Sequence, residues 1–206
     1  MDLFMMCAAP NRAAASSLPE GFCFDTIRED ELDVWMAFPF NTPELAAAYR
    51  GYMQKYFDDV YAPQRAEFFR RCLFVRDAAG KPVATGFVWK AYGRIWTLQW
   101  IKTLKGYEGL GIGRALLSKL LLDLPEEAYP VYLHTHPTAL RAIKLYSDFG
   151  FALVTDPQVG CRTNHLAECR DTLREGLLSG VYENLRYVAA SEALLTAAAS
   201  REIEEF

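Results

Sequence analysis

Residues Tyr107 to Leu117 read YEGLGIGRALL and carry three glycines, Gly109, Gly111 and Gly113, directly before an apolar helical pattern. Glycine adopts a positive φ at little cost and lets backbone N–H groups come close to a ligand. The first N–H groups of an α-helix have no acceptor inside the helix, and the helix dipole adds positive charge at that end. A loop of this kind predicts a binding site for an anion such as a phosphate or a pyrophosphate.

Several interpretations of this loop compete. A Walker P-loop needs a lysine where Ile112 stands. A dinucleotide-binding fingerprint needs a third glycine where Arg114 stands, and it opens an early parallel β–α–β unit, whereas an antiparallel meander is predicted here. A tight connection between strand and helix that binds nothing is a further alternative.

The segments around the loop predict a meander of strands before it and alternating strands and helices after it. Thr42 is a predicted N-cap with Pro43 at the first helical position. The predicted strands cover 21–28, 72–76, 83–92, 94–104, 131–135, 151–155 and 181–188, and the predicted helices cover 30–38, 43–61, 63–71, 112–124, 137–149, 164–178 and 191–206. This order predicts an α/β (α+β) fold: a single domain with a mixed, mostly antiparallel sheet and helices on both faces.

The predicted domain covers 21–206, with a core of about 21–155 and a C-terminal extension of 156–206. Residues 1–20 are rich in alanine and serine and are predicted to be irregular. The extension either covers the site or forms a homodimer contact, and the sequence favours neither.

Composition and charge indicate the class of protein and the cellular compartment. The chain has 206 residues, a net charge of −4 and 51% hydrophobic residues, which is typical of a globular protein. No cluster of Lys or Arg marks a nucleic-acid face, and no apolar run is long enough for a membrane span. The N-terminal ten residues make a poor signal peptide. Five cysteines, an odd number at wide spacings, predict reduced thiols and a cytoplasmic location.

One cysteine and histidine pattern faintly resembles a metal site. Cys161, His165 and Cys169 follow one another at intervals of four residues. Three ligands at this spacing match no established zinc pattern, so no metal site is predicted.

The glycine loop and a second motif together resemble a known family. The segment YEGLGIGRALL is similar to motif A of the GCN5-related N-acetyltransferases (GNAT), with Gly111 and Gly113 at the two glycines of its core pattern. The segment from Ala142 to Phe151, AIKLYSDFGF, resembles motif B of the same superfamily. The two motifs occur in the family's order, a predicted strand separates them, and the resemblance covers roughly residues 20–155.

The resemblance implies acetyl-CoA as the acyl donor and names the residues that would handle it. The pyrophosphate would lie on Gly109, Leu110, Gly111, Ile112, Gly113 and Arg114. The backbone of Ile101, Lys102 and Thr103 would hold the pantetheine and the thioester, and one N–H of this strand would stabilise the oxyanion. Tyr146 matches the tyrosine that protonates the leaving thiolate.

The general base is open among several candidates. His134 and His136 follow each other near the end of a predicted strand, Glu108 is a weaker candidate, and a chain of water molecules is another. His134 is the histidine that we include among the catalytic residues.

Three positions depart from the family pattern. Glu108 stands at the Gln or Arg of motif A, Ala139 replaces an asparagine that contacts the cofactor in many members, and Lys105 replaces a proline before the loop. These changes leave the backbone cradle intact, because main-chain donors do not depend on the side chain.

The expected activity is transfer of an acetyl group to a primary amine of a small molecule or a peptide by direct attack. Two alternatives remain: a non-catalytic acyl-CoA-binding or regulatory module, and a nucleotide-binding protein that uses the same loop.

Overall fold

A computed structural model describes residues 1–199 and residue 205. The chain divides into two compact units. The middle unit comprises Ser16–Trp89 and Leu98–Leu120, and the terminal unit comprises Met1–Ala15, Lys90–Thr97 and Leu121–Phe206. Two strands, β4 (Pro82–Ala91) and β5 (Ile95–Thr103), contribute residues to both units.

The sheet of the middle unit begins with β2 (Cys23–Thr26) and β3 (Leu73–Arg76). The strand β3 pairs with β2 on one side and with β4 on the other, antiparallel in both cases. A tight turn at Gly80, with φ of +81°, joins β3 to β4, as the segment DAAGKP predicts.

Three helices follow β2 in the middle unit: α1 (Leu32–Ala37), α2 (Pro43–Tyr56) and α3 (Arg65–Arg71). The Thr42 hydroxyl accepts the N–H of Leu45 and caps α2, as predicted. A π-helical turn (Phe57–Tyr61) and a 3-10 turn (Ala62–Gln64) continue the chain into α3. The unit ends with α4 (Ile112–Leu122), of which the last two residues belong to the terminal unit.

Aromatic side chains fill the core of the middle unit. Trp35, Tyr61 and Phe68 are fully buried, and their rings pack edge to face or stacked at centroid distances of 5.0–5.9 Å. Pairs of this geometry add stabilisation beyond the area that they bury. By contrast, Leu45 and Tyr49, in the first part of α2, are about half exposed.

A buried ion pair joins the β3–β4 hairpin to the 3-10 turn (Glu29–Glu31) that precedes α1. The Arg76 guanidinium donates to both carboxylate oxygens of Glu31 at 2.8 Å, to Asp25 at 2.7 Å and to the Gly80 carbonyl at 3.3 Å. Arg76 is 5% exposed and Glu31 7%. Arg28 also reaches Glu31, but its own side chain is 59% exposed.

The terminal unit holds β1 (Leu3–Cys7), β6 (Val131–Thr135), β7 (Ala152–Val154) and β10 (Tyr187–Val188). The strand β1 lies between β6 and β7 and is antiparallel to both, whereas β10 is parallel to β7. The first residues of β5 pair in parallel with β6. The helix α5 (Leu140–Asp148) follows β6, and Gly150 ends it with φ of +101°, as predicted.

The prediction that residues 1–20 are irregular is wrong for their first part. Leu3–Cys7 forms β1, which pairs on both edges and buries nearly every side chain. A strand buried on both faces is a continuous apolar run without alternation, so the period of two that identifies half-buried strands is absent from LFMMC.

The extension after residue 155 also differs from its predicted elements. It contains a hairpin of β8 (Gln158–Val159) and β9 (Arg162–Thr163), then α6 (Leu166–Gly176), α7 (Ser179–Tyr182), β10 and α8 (Glu192–Ala199). The strand predicted over 181–188 is wrong except at its end, because the Leu178 carbonyl accepts two N–H groups and starts α7. The helix predicted over 191–206 begins as expected; 200–204 and 206 lie outside the described residues.

The mixed sheet with its helices confirms the predicted α/β class, and both antiparallel and parallel pairs are present. The boundary at residue 155 stays a prediction. Across residues 1–199, none of the helices has the length and apolar character needed to cross a membrane.

Removal of the Arg76 guanidinium should destabilise the fold far more than removal of the Arg28 guanidinium. Arg76→Met leaves the buried Glu31 carboxylate without its main partner, so we expect the free energy of unfolding at pH 7 to fall by about 3 kcal/mol. The matched control, Arg28→Met, removes an exposed partner of the same carboxylate and should cost less than about 1 kcal/mol. Denaturant titration measures both values.

The same pair should make stability depend on pH. Hydrogen bonds from Arg76 hold the pKa of Glu31 below its ordinary value of 4.5. The stability that this carboxylate contributes is therefore present above pH 4.5 and is lost as the pH falls through the pKa in the folded state. The difference between wild type and Arg76→Met should shrink below pH 4.5, and a constant difference would contradict the assignment.

Candidate functional site

The glycine loop has the left-handed backbone that its sequence predicts. Gly109 has φ of +81° and Gly111 φ of +87°. The Ala115 N–H is bonded to the Gly111 carbonyl at 3.0 Å, so the N–H groups of Ile112, Gly113 and Arg114 precede the first hydrogen bond of α4. Residues 108–111 are exposed, and this end of α4 is therefore open to an anionic ligand from solvent.

The entry to the loop is anchored to the β3–β4 turn. The Tyr107 hydroxyl donates to Asp77 Oδ2 at 3.0 Å, and Asp77 Oδ1 accepts the N–H groups of Ala79 and Lys81. Phe22 packs edge-on against the Tyr107 ring at 6.2 Å. The residue that begins motif A is therefore held by side chains far from it in sequence.

The strand segment Ile101–Thr103 is half-buried in the middle unit. A Cβ at Gly86 on β4 would overlap Ile101 Cδ1 and would lie 3.4 Å from Leu116 Cδ2. Because Gly86 has no side chain, the end of β5 and α4 can lie close together at this point. Lys102 Nζ donates to Asn41 Oδ1 at 2.8 Å.

Directly before this segment the strand is kinked. Trp100 has φ of +51°, which is rare for a bulky residue and costs on the order of 1–3 kcal/mol. Its indole Nε1 donates to the Tyr61 hydroxyl at 2.9 Å. Strand irregularities of this kind re-aim the residues that follow and are frequent beside functional sites.

Tyr146 lies on α5 in the terminal unit and is 6% exposed. Its ring packs against Phe151 at 5.9 Å. Burial raises the pKa of the Tyr146 phenol above its ordinary value of 10. The phenol is therefore protonated at neutral pH and able to donate a proton.

His134 lies on β6, opposite Phe4 of β1, with ring centroids 6.2 Å apart. The residue keeps an exposed surface. Desolvation by the protein atoms around its ring and, to a smaller extent, the positive charge of Arg162 lower the pKa of His134 to about 4. The Asp2 carboxylate opposes this shift. The imidazole is neutral at pH 7 and can accept a proton, but it is a weak base. His136 is exposed, and its Nδ1 bonds to the Thr138 hydroxyl at 2.8 Å.

The departures from the family pattern have visible consequences. Glu108 is exposed, which is compatible with an anion on the nearby backbone. Ala139 occupies the N-cap position of α5, and α5 consequently begins without a side-chain cap.

The three residues of the cysteine and histidine pattern in the extension have different surroundings. Cys161 is exposed, Cys169 is buried, and His165 Nδ1 accepts the N–H of Asp2 at 3.0 Å. Within the part of the chain that the structure describes, no three His, Cys, Asp or Glu side chains are grouped as metal ligands.

The predicted site residues fall into two groups. The middle unit contains Ile101–Thr103 and the whole loop from Gly109 to Arg114, whereas the terminal unit contains His134 and Tyr146. Sequence reasoning missed the kink at Trp100 and the anchor between Asp77 and Tyr107. The tripeptide around Trp100 contains no glycine, so no local signal marks the kink.

The acetyltransferase (GNAT) family model matches residues 35–151, more than half of the chain. This chain belongs to the GNAT acetyltransferase family. The matched residues include the segments that resemble motif A and motif B.

Solved structures give weaker likenesses. A GCN5-related N-acetyltransferase from Sphaerobacter thermophilus is 19% identical (TM-score 0.43; 65% of this chain, 42% of that one). An acetyltransferase of the GNAT family from Colwellia psychrerythraea is 16% identical (TM-score 0.47; 74% and 52%). A GCN5-related N-acetyltransferase from Kribbella flavida is 16% identical (TM-score 0.47; 82% and 61%). The chain thus spans less than two thirds of each of these proteins. Among curated proteins, none matches the chain.

Replacement of the loop glycines should show that their backbone conformation is required. Gly109→Ala and Gly111→Ala should each lower the free energy of unfolding by about 1–2 kcal/mol, because L-residues are disfavoured at positive φ. A Cβ at Gly111 would lie 3.8 Å from Pro19, an ordinary contact, so the cost is conformational rather than steric.

Gly106→Ala is the matched control. Gly106 belongs to the same loop, has no positive φ, and has open space at its Cβ position. The alanine there should leave stability unchanged or raise it slightly. Equal losses for all three variants, measured by denaturant titration, would contradict the conformational explanation.

Proposed function

We propose that this protein transfers an acetyl group from acetyl-CoA to a primary amine of a small molecule or a peptide. The observation that carries the proposal is the left-handed backbone at Gly109 and Gly111, directly before α4, in a chain that belongs to the GNAT family. The five free cysteines support a reducing, cytoplasmic location for this activity.

The backbone of the middle unit supplies the binding surface for acetyl-CoA. Three N–H groups at the start of α4 and the helix dipole favour the doubly charged pyrophosphate. Gly111 lets the chain enter the helix with a positive φ. The backbone of Ile101–Thr103 binds the pantetheine and the thioester, as the family resemblance implies.

The reaction needs a neutral amine, a stabilised oxyanion and a proton for the departing sulfur. The amine nitrogen attacks the thioester carbonyl carbon, and the negative charge moves to the carbonyl oxygen, which a backbone N–H of Ile101–Thr103 stabilises. The carbon–sulfur bond then breaks, and Tyr146 donates its phenolic proton to the thiolate. Its raised pKa keeps that proton in place at neutral pH.

A base must take the proton that the amine loses. His134 is the candidate, and its lowered pKa gives it a recognisable signature. If His134 is the base, the part of the pH dependence of kcat/KM that a His134 variant abolishes should lie near pH 4, because the imidazole stays neutral above that pH. Protonation of the free amine acts separately, at higher pH, and the variant should leave it unchanged. Loss of turnover in a His136 variant, with turnover retained in a His134 variant, would assign the role to His136 instead.

Release of the CoA thiol, measured with a panel of small primary amines and peptides, tests the proposal. We expect release above the amine-free background for at least one acceptor. With that acceptor, Tyr146→Phe should lower kcat about a hundredfold and leave the KM for acetyl-CoA unchanged, because only the proton donor is removed.

Tyr129→Phe is the matched control for this variant. Tyr129 lies in the same unit, and its hydroxyl donates at 2.6 Å to the carbonyl of Leu121, which is not a predicted site residue. It should retain wild-type kcat. Unchanged turnover in Tyr146→Phe would reject the acid role. Binding of acetyl-CoA without thiol release for any amine would instead favour a non-catalytic acyl-CoA-binding module.

A further inference from the structure

Two hydrogen bonds of the middle unit meet at the hydroxyl of a fully buried tyrosine, Tyr61. Trp100 Nε1 donates to this hydroxyl at 2.9 Å, and the hydroxyl lies 3.3 Å from Gln99 Oε1, to which it donates. The hydroxyl therefore bonds to two side chains that follow each other in β5.

Such an arrangement is impossible in a regular strand, because consecutive side chains lie on opposite faces of the sheet. Gln99 and Trp100 reach the same atom because the backbone is left-handed at Trp100, with φ of +51°. A bulky residue keeps this conformation only where its surroundings hold it there. The hydroxyl of Tyr61 is hydrogen-bonded to Gln99 and to Trp100, the two neighbouring residues at the kink.

Tyr61 is itself held in place by the aromatic core. Its ring lies 5.1 Å from Phe68, 5.4 Å from Phe87 and 5.1 Å from Trp89, measured between centroids. Burial and the neighbouring Tyr56 raise the pKa of the Tyr61 phenol well above its ordinary value of 10, so the hydroxyl keeps its proton. Packing of the ring therefore fixes the position of the hydroxyl, to which Gln99 and Trp100 of β5 are hydrogen-bonded.

We propose that Tyr61 is a positioning residue that holds the kink at Trp100 and thereby sets the direction of the backbone groups of Ile101–Thr103. The inference rests on the proposed function, because it is there that these groups bind the thioester. Tyr61 acts through Trp100 and touches no reacting atom.

The first test is structural and needs no activity. Tyr61→Phe keeps the ring and removes only the hydroxyl. In ¹H–¹⁵N spectra we expect the Trp100 indole N–H signal to shift upfield, and the amide signals of Ile101, Lys102 and Thr103 to move and to exchange faster with solvent. The amide signals of Gly109 and Gly111 should not move.

Trp100→Phe is the second variant, and it removes the donor while the ring position stays filled. Because the hydrogen bond from Trp100 to Tyr61 is lost in both variants, both should displace the same amide signals. The double variant should add little to either one, since interacting residues are not additive. If Tyr61→Phe does not fold, the amide signals of Ile101–Thr103 in Trp100→Phe alone test the proposal.

The second test separates positioning from general stability. With an acceptor found in the thiol assay, Tyr61→Phe should lower kcat about tenfold to a hundredfold, because a small displacement at the reacting centre is costly. The KM for acetyl-CoA should change less than about twofold, since the pyrophosphate loop is untouched.

Tyr132→Phe is the control for the loss of a buried tyrosine hydroxyl. Tyr132 is 1% exposed, and its hydroxyl is bonded to Ser191 at 2.5 Å in the terminal unit. It should lose stability without displacement of the amide signals of Ile101–Thr103.

The outcomes separate the two proposals. Unmoved amide signals in both variants overturn the role of Tyr61, and so does a displaced signal with unchanged kcat. If the signals move but the wild-type protein releases no thiol with any amine, the hold on the strand stands and the proposed function fails.

Discussion

Left-handed backbone at Gly109 and Gly111 is the constraint on which the proposed chemistry depends. These two glycines turn the chain from β5 into α4, so that three N–H groups precede the first helical hydrogen bond. A phosphate-bearing ligand needs donors of this kind and needs no particular side chain beside them. This is why Glu108 and Lys105 can differ from the family pattern without removing the proposed binding surface.

The rest of the middle unit holds this loop and the adjoining strand in place. Asp77 fixes the start of the loop through the Tyr107 hydroxyl, and the buried pair of Arg76 and Glu31 fixes the turn that carries Asp77. Tyr61 holds the strand through Trp100. The contact between Asp77 and Tyr107 near the surface and the contact between Tyr61 and Trp100 in the core therefore act on neighbouring parts of the same predicted binding surface.

The sequence predicts those parts of the fold that depend on local signals. The strand over 131–135 has the predicted bounds, α4 begins at Ile112, and Gly150 ends its helix with a positive φ. Each is specified by a short pattern of apolar residues or by a glycine next to a helix end.

Features that depend on distant partners could not be predicted. β1 lies between two strands that come more than a hundred residues later, and the kink at Trp100 is held by Tyr61 from another element. The roles of Tyr146 and Ile101–Thr103 came from the family resemblance, because no spacing or period of the sequence assigns them.

Calorimetric titration of the protein with acetyl-CoA, with ATP and NAD as controls, tests the central claim most directly. Saturable binding of acetyl-CoA, without binding of ATP or NAD, is the predicted result. Binding of ATP or NAD without acetyl-CoA would assign the loop to a nucleotide. The absence of acetyl-CoA binding at millimolar concentration would contradict the claim that the loop at Gly109 to Arg114 is an acyl-CoA cradle.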